Sequence, residues 1–315
     1  MVMARVRNWW SHLKPVVLIW AISILLFYFA FQMALQNSSI NSSALSSDPP
    51  ISNAERRSRL YDKMARDLDE HGALFLKHGE TSQSLSLHEL FTLRDGVVTP
   101  NLKAANPPVR ATVLYLSTEY SVPLWNAVKS VFCPYFDKAI WFQNSSMYHF
   151  SMFHASHHVS PVPATENEVE AEATAVKTVA AGVCPLKIVL DRVILTSTGV
   201  LLGCWQVVSG TDPIIVRAKM RTALPRAPEK QLYNDAMLHT SFARLLDHAT
   251  IPPGESDKKD DIQLFHELVA RLSNQIRGFK AVVSELWYVE EFDLLALALN
   301  GRMKARKFQL DCLEA

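Results

Sequence analysis

The chain has 315 residues, 49% of them hydrophobic and 20% charged, with a formal net charge of +1. This composition suits one or two globular domains with a sizeable core and excludes a globally basic, nucleic-acid-attracting surface. The near-neutral average hides an uneven N-terminus. Residues 1–15 carry Arg5, Arg7 and Lys14 and no acid, whereas residues 16–35 (VVLIWAISILLFYFAFQMAL) carry no charge. At about 1.5 Å per residue such a run spans the roughly 30 Å hydrocarbon core of a bilayer. It is longer than the apolar core of a cleaved signal peptide, and bulky residues fill its second half. With the first following charge at Asp48, the charge bias predicts a retained signal anchor. The N-terminus is then cytosolic and the rest of the chain lumenal, as in a single-pass type II protein of the Golgi or endoplasmic reticulum. Asn37, Asn41 and Asn144 each open an Asn-Ser-Ser sequon, so glycosylation is expected there.

Residues 36–54, rich in Ser, Asn and Pro, read as a flexible stem. Residues 55–108 read as a helical neck or extension: Leu60, Met64 and Leu68 recur at helical spacing, and Asn106-Pro107-Pro108 is a breaker. From 109 the pattern changes. Residues 109–117, 139–142, 147–153 and 238–246 predict strands, and 185–208 a hairpin turning near Ser197-Thr198-Gly199. Residues 121–132, 168–181 and 260–276 predict helices, 214–224 leaves helix and strand both open with a lean to helix, and residues 282–299 and 307–313 supply the last strands. Strands alternating with helices indicate an α+β or α/β domain over 109–315. The four cysteines, Cys133, Cys184, Cys204 and Cys312, lie on the expected lumenal side and have no CxxC spacing. They permit disulfides in any of three full pairings, or buried free thiols.

Two short segments carry the chemistry. Tyr148-His149-Phe150-Ser151-Met152 and Leu238-His239-Thr240-Ser241-Phe242 are both apolar-His-x-Ser-apolar, ninety residues apart and both in predicted strands. Residues i and i+2 of a strand share a face, so each copy presents one imidazole and one hydroxyl together. In-line cleavage of a phosphodiester needs a base at one oxygen and an acid at the opposite one. Two histidines across a groove meet that need without a cofactor, and two hydroxyls can donate to the non-bridging oxygens.

On these residues the chain resembles the two-histidine phosphoesterase superfamily, marked by a pair of His-x-Thr/Ser motifs, one per lobe. The order of elements over residues 109–313 is also similar. The resemblance implies a bilobal, duplicated α/β domain around a central groove. It further implies catalytic roles for His149, Ser151, His239 and Ser241 and a small nucleotide or cyclic phosphate as ligand. Both motifs here use Ser where Thr is frequent in the family, and a lumenal setting is poor in RNA, the substrate of its best-known members.

Other clusters have plainer readings. His154-x-Ser156 sits between Phe153 and His157 and reads as a strand end, while His157 and His158 read as a solvated loop. A zinc site from His154, His157 and His158 lacks a carboxylate partner. Asp67-Leu68-Asp69 mimics a glycosyltransferase DxD but falls in a charged helix, and Arg217, Lys219, Arg221 and Arg226 read as a surface basic segment or an anion attractor. The expected function is therefore a lumenal phosphodiesterase. The alternatives are a catalytically silent member that binds a nucleotide or a partner protein, and a glycosyltransferase-type enzyme.

Overall fold

The structure, a computed structural model, describes residues 51–77, 85–94, 96–136, 138–250 and 260–312. The anchor and stem expected before residue 51, with Asn37 and Asn41, lie outside the described residues. Among those described, no helix is long and apolar enough to cross a membrane.

In chain order the elements are α1 (Asn53–Ala65), α2 (Asp67–His71), α3 (Leu74–Lys77), α4 (Leu87–Leu90), β1 (Phe91–Arg94), β2 (Val97–Pro100) and β3 (Ala104–Tyr115). There follow α5 (Thr118–Phe136), β4 (Ile140–Phe142), a 3-10 turn (Ser145–Met147), β5 (His149–Ser156), α6 (Glu166–Ala180), β6 (Leu186–Leu195), β7 (Val200–Ser209) and α7 (Pro213–Ala223). The chain continues through β8 (His239–Leu245), α8 (Asp261–Ile276), β9 (Lys280–Val283), β10 (Glu285–Asp293), α9 (Ala296–Leu299) and β11 (Met303–Gln309). The fold is mixed α/β. One antiparallel sheet has the order β11-β10-β3-β5 and another β4-β8-β7-β6-β9, so each motif strand lies in a different sheet. β1 and β2 form a separate ribbon.

The sequence pattern explains most elements. Thr165 and Glu168 form a capping box at the start of α6, whose buried stripe is Val169, Ala173, Val176 and Val179. In α8 the stripe is Leu264, Phe265, Leu268, Leu272 and Ile276. These helices and α5 cover the apolar faces of the sheets in one continuous core around Phe132, Phe150, Trp205 and Phe242. Gly203 is required there: a Cβ would stand 2.3 Å from the Phe242 ring.

Three expectations are revised. In residues 55–71 the buried face of α1 is Arg57 and Tyr61, not Leu60 and Met64, and the helix ends at Arg66 before Leu68. Its polar anchors reach into the second sheet, because buried Arg57 pairs with Asp212 and the Tyr61 hydroxyl bonds to backbone at Trp205 and Leu238. Asn106-Pro107-Pro108 does not break the chain but lies within β3, where the pairing with β10 shifts between Glu291 and Asp293 and spares the prolines a ladder bond. The strand expected over 282–299 stops at Asp293. Leu295 turns left-handed (φ 57°) and the Leu/Ala-rich run 296–299 forms a helical turn instead.

One disulfide joins Cys184 to Cys312 and ties the last described residues to the start of β6; Cys133 and Cys204 are free thiols.

Candidate active site between the two motif strands

A groove between the sheets is lined by His149, Ser151, His239 and Ser241 together. The strand geometry explains why. In the β3–β5 register Tyr115 faces His149 and Val113 faces Ser151. The register then shifts, so that Ala111 faces His154 rather than Phe153. This bulge reverses the alternation and turns a third side chain, His154, to the groove face. In the β7–β8 register Cys204 faces His239 and Leu202 faces Ser241, a shift follows, and Val200 faces Arg244. Each motif strand therefore bulges just after its His-x-Ser and presents the residue five positions beyond the histidine: His154 in one sheet, Arg244 in the other.

His154 is thus a buried groove residue near the end of β5, and His157 is buried rather than solvated. Both nitrogens of His157 are committed. Nδ1 accepts from the Ser160 N–H (3.1 Å), which leaves Nε2–H to donate to the Lys230 carbonyl (3.1 Å). With that pairing His157 has no lone pair for zinc, and among the described residues no group of three or more His, Cys, Asp or Glu is placed to hold a metal. The basic segment is a surface in part: Lys219, Arg221 and Arg226 are exposed, as expected, and only Arg217 is not. Arg217 is buried, and Lys219, Arg221 and Arg226 each bond to backbone carbonyls. Asp67 and Asp69 lie on the helical surface, where Asp67 accepts from Ser197 N–H and Asp69 pairs with His266. Asn144 is half-buried at the head of the 3-10 turn, its Oδ1 accepting from Ser146.

The electrostatics divide the histidines. Burial pushes His239 down to about 3, helped by the Arg217 cation and by His149 facing it. His154 is likewise pushed to about 3 by burial and by the neighbouring imidazoles. His149 is also lowered by burial, but its Nδ1–H donates to the Met147 carbonyl (2.8 Å), which favours the protonated form. The His239 Nδ1 is buried and, among the described residues, without a partner; the Tyr233 ring lies 5.0 Å from the His239 ring. Arg244 Nη1 is buried and unpartnered in the same sense. Burial lowers its guanidinium to about 10, so it stays charged at neutral pH.

Sequence reasoning passed over Arg244, Glu291 and Gln143, which complete the lining. The available signal was a charged or amide side chain at an otherwise apolar strand position. Glu291 and Gln143 hold α9 over one end of the groove. The Leu297 N–H donates to Glu291 (2.7 Å), Gln143 Nε2–H donates to the Leu297 carbonyl (2.7 Å), and Trp141 Nε1–H donates to the Ala298 carbonyl (2.9 Å). Burial pushes the Glu291 carboxyl from 4.5 up to about 7, against the opposing Leu297 N–H. A raised carboxyl favours the fold fully below its unfolded value, and that stabilisation is lost as pH rises through about 7. Glu291→Gln keeps an acceptor and removes the titration. Between pH 5 and 8 the parent is expected to lose on the order of 2 kcal/mol more stability than the variant, measured by denaturant unfolding. Parallel curves would show that Glu291 does not titrate in this window.

No family model and no curated protein matches the chain. Solved structures similar to it in outline include TT0787 of Thermus thermophilus, at 13% identity and TM-score 0.44, covering 66% of this chain and 100% of that one. E. coli LigT complexed with phosphate is similar at 14% identity and TM-score 0.40, over 65% and 98% of the two chains. Usb1 of Kluyveromyces marxianus with uridine monophosphate is similar at 11% identity and TM-score 0.33, over 65% and 96%. At such identities the functional reading rests on the groove's own residues.

Proposed function

We propose that this groove cleaves a small phosphodiester by acid–base catalysis between its two histidines. The observation that carries the reading is the convergence of His149, Ser151, His239, Ser241 and the unpartnered Arg244 Nη1 on one groove. His239, kept neutral by burial and by Arg217, suits the base that activates water or a substrate hydroxyl. His149, whose Nδ1–H rests on the Met147 carbonyl, suits the acid that protonates the leaving oxygen from Nε2. Ser151 and Ser241 donate to the non-bridging oxygens, and Arg244 supplies the countercharge.

The charge count narrows the substrate class. Among the described lining residues Arg244 is the one permanent cation, because burial keeps His149, His154 and His239 largely neutral at pH 7. With the Glu291 carboxyl of the same lining protonated, as it is below about pH 7, one cation matches the single charge of a cyclic or linear diester, and a dianionic monoester would leave a charge buried and uncompensated. The Cys184–Cys312 disulfide supports the lumenal setting argued from the sequence, since such bonds persist in oxidising compartments.

The test is a panel of 2′,3′-cyclic, 3′,5′-cyclic and linear nucleotides, with a phosphomonoester as control, incubated with the full chain with and without EDTA. At least one diester is expected to be cleaved at the same rate with chelator present, and the monoester to be spared. Nucleotide binding without turnover would favour the catalytically silent alternative. Turnover abolished by EDTA would overturn the two-histidine mechanism.

A further inference from the structure

The backbone leading into His239 is held in an unusual way. Asp235 and Ala236 lie in the turn before β8, and four consecutive carbonyls there are each taken by a side chain with a buried donor. Arg217 donates to the Asp235 carbonyl (2.6 Å) and the Met237 carbonyl (2.7 Å), Arg57 to the Ala236 carbonyl (3.2 Å), and the Tyr61 hydroxyl, whose one hydrogen is shared with the Trp205 carbonyl (2.9 Å), to the Leu238 carbonyl (2.8 Å). Leu238 N–H in turn donates to the Tyr61 hydroxyl (3.1 Å). The same Arg217 guanidinium reaches the other motif strand, donating to the Ser151 carbonyl (2.8 Å) and the Met152 carbonyl (3.0 Å). Met152 is the extra residue where β5 shifts register. One buried cation thus grips the first motif at its bulge and the second on its approach. A guanidinium has five donors in a rigid fork, so it can fix several carbonyls at set separations where an ammonium cannot.

We propose that Arg217 is a positioning residue for this site, setting the separation and mutual orientation of His149 and His239, with Tyr61 of α1 locking the second motif behind it. The inference rests on the reading of the groove as a phosphodiester site, but concerns residues that do not line it. It also makes α1, which precedes the duplicated motifs in the sequence, part of the apparatus that aims them. Arg217 has a second, electrostatic effect. The charged and titratable groups facing His239 are Arg217 from α7, His149 and His154 from β5, Cys204 opposite it on β7, Tyr233 from the preceding loop, Arg244 from its own strand and Glu291 across the groove. Of these Arg217 adds most to the effect of burial in disfavouring imidazolium at His239.

The test uses Arg217→Lys, Arg217→Met and Tyr61→Phe in the full chain. Positioning predicts that both Arg217 variants lower kcat by about 10–100-fold with KM changed less than about threefold, because a misplacement of roughly 1 Å costs about that much. Tyr61→Phe, which removes one hydroxyl and keeps the packing, is expected to lower kcat by about tenfold. The His239 imidazole resonance should titrate at higher pH in Arg217→Met but stay near the parent in Arg217→Lys, separating charge from geometry. A folded Arg217→Met chain with parental kcat and an unmoved His239 titration would overturn the proposal. If Arg217→Met does not fold, Tyr61→Phe decides: parental kcat and unchanged imidazole resonances would overturn it. If the parent cleaves no diester, the functional reading fails by itself. The imidazole resonances of His149 and His239 then still report position, and their insensitivity to all three substitutions would sink the positioning claim separately.

Discussion

His149→Ala and His239→Ala are each expected to slow phosphodiester cleavage by about 10²–10⁴-fold, the usual contribution of a positioned general acid or base. The two losses should not multiply, because once either proton transfer is gone the other has little left to assist. Neither substitution orphans a strong partner: the His239 Nδ1 is already unpartnered among the described residues, and His149 gives up one bond to the Met147 carbonyl. The variants should therefore remain folded and still bind a monoanionic diester through Arg244. The pH profile follows from the directions of the shifts. Turnover needs His149 protonated and His239 neutral, and both are lowered from 6.5, His239 to about 3. The fraction in the working form then rises as pH falls from 8 towards the depressed His149 value, and declines once His239 takes up a proton. For kcat/KM the optimum is expected below pH 6.5. Either single variant cleaving at the parental rate would exclude the mechanism, and an optimum above pH 7.5 would exclude this pair of depressed histidines as its acid and base.

Arg110→Ala is expected to destabilise the fold by about 3–5 kcal/mol, the cost of leaving one member of a buried ion pair without the other. Arg110 is 2% exposed and donates through Nε and Nη2 to the Glu172 carboxylate and through Nη1 to the Val162 carbonyl (2.9 Å). The Tyr288 hydroxyl donates to the same carboxylate (2.7 Å). These bonds pin α6 to the face of the first sheet that turns away from the groove. Alanine would strand Glu172 and the Val162 carbonyl together. For a domain of this size the melting temperature should fall by roughly 6–20 °C. The double variant Arg110→Met with Glu172→Leu removes both charges and should recover much of the loss. A single variant within about 0.5 kcal/mol of the parent would show that the pair carries no stability.

A strict period was only a partial guide: the four-residue spacing of Leu60, Met64 and Leu68 did not mark the buried face of α1. The shared face of His149 with Ser151, and of His239 with Ser241, was readable because alternation along a strand needs no knowledge of its neighbours; α6 and α8 were readable as helices, but the stripe expected on α8 through Ile262 and Val269 runs instead through Leu264 and Leu268. His154 and Arg244 were not readable, because a bulge is decided by which residue of the adjacent strand accepts the pairing. One extra residue moved Phe153 away from the groove and His154 towards it. Arg217 was misread for a different reason. Pro213, Val216, Arg217 and Met220 form the buried stripe of α7, so a cation stood at an apolar position and marked an internal carbonyl cluster. Glu291 gave the same kind of signal, sharing strand parity with Trp287 and Val289. A charge on the apolar side of a periodic element was the informative residue in both cases.

The twin bulges have one more consequence. Two motif strands related by an internal repeat would build a site that looks alike from either end, and an ester could enter it either way round. The fifth position breaks that equivalence, with neutral His154 on one side and cationic Arg244 on the other. On the proposed function the groove would have a head and a tail, and a diester that seats its charged oxygens towards Arg244 would expose only one of its two ester bonds to the proton donor. On that reading, which bond is cut would then follow from this mismatch together with the unequal settings of His149 and His239.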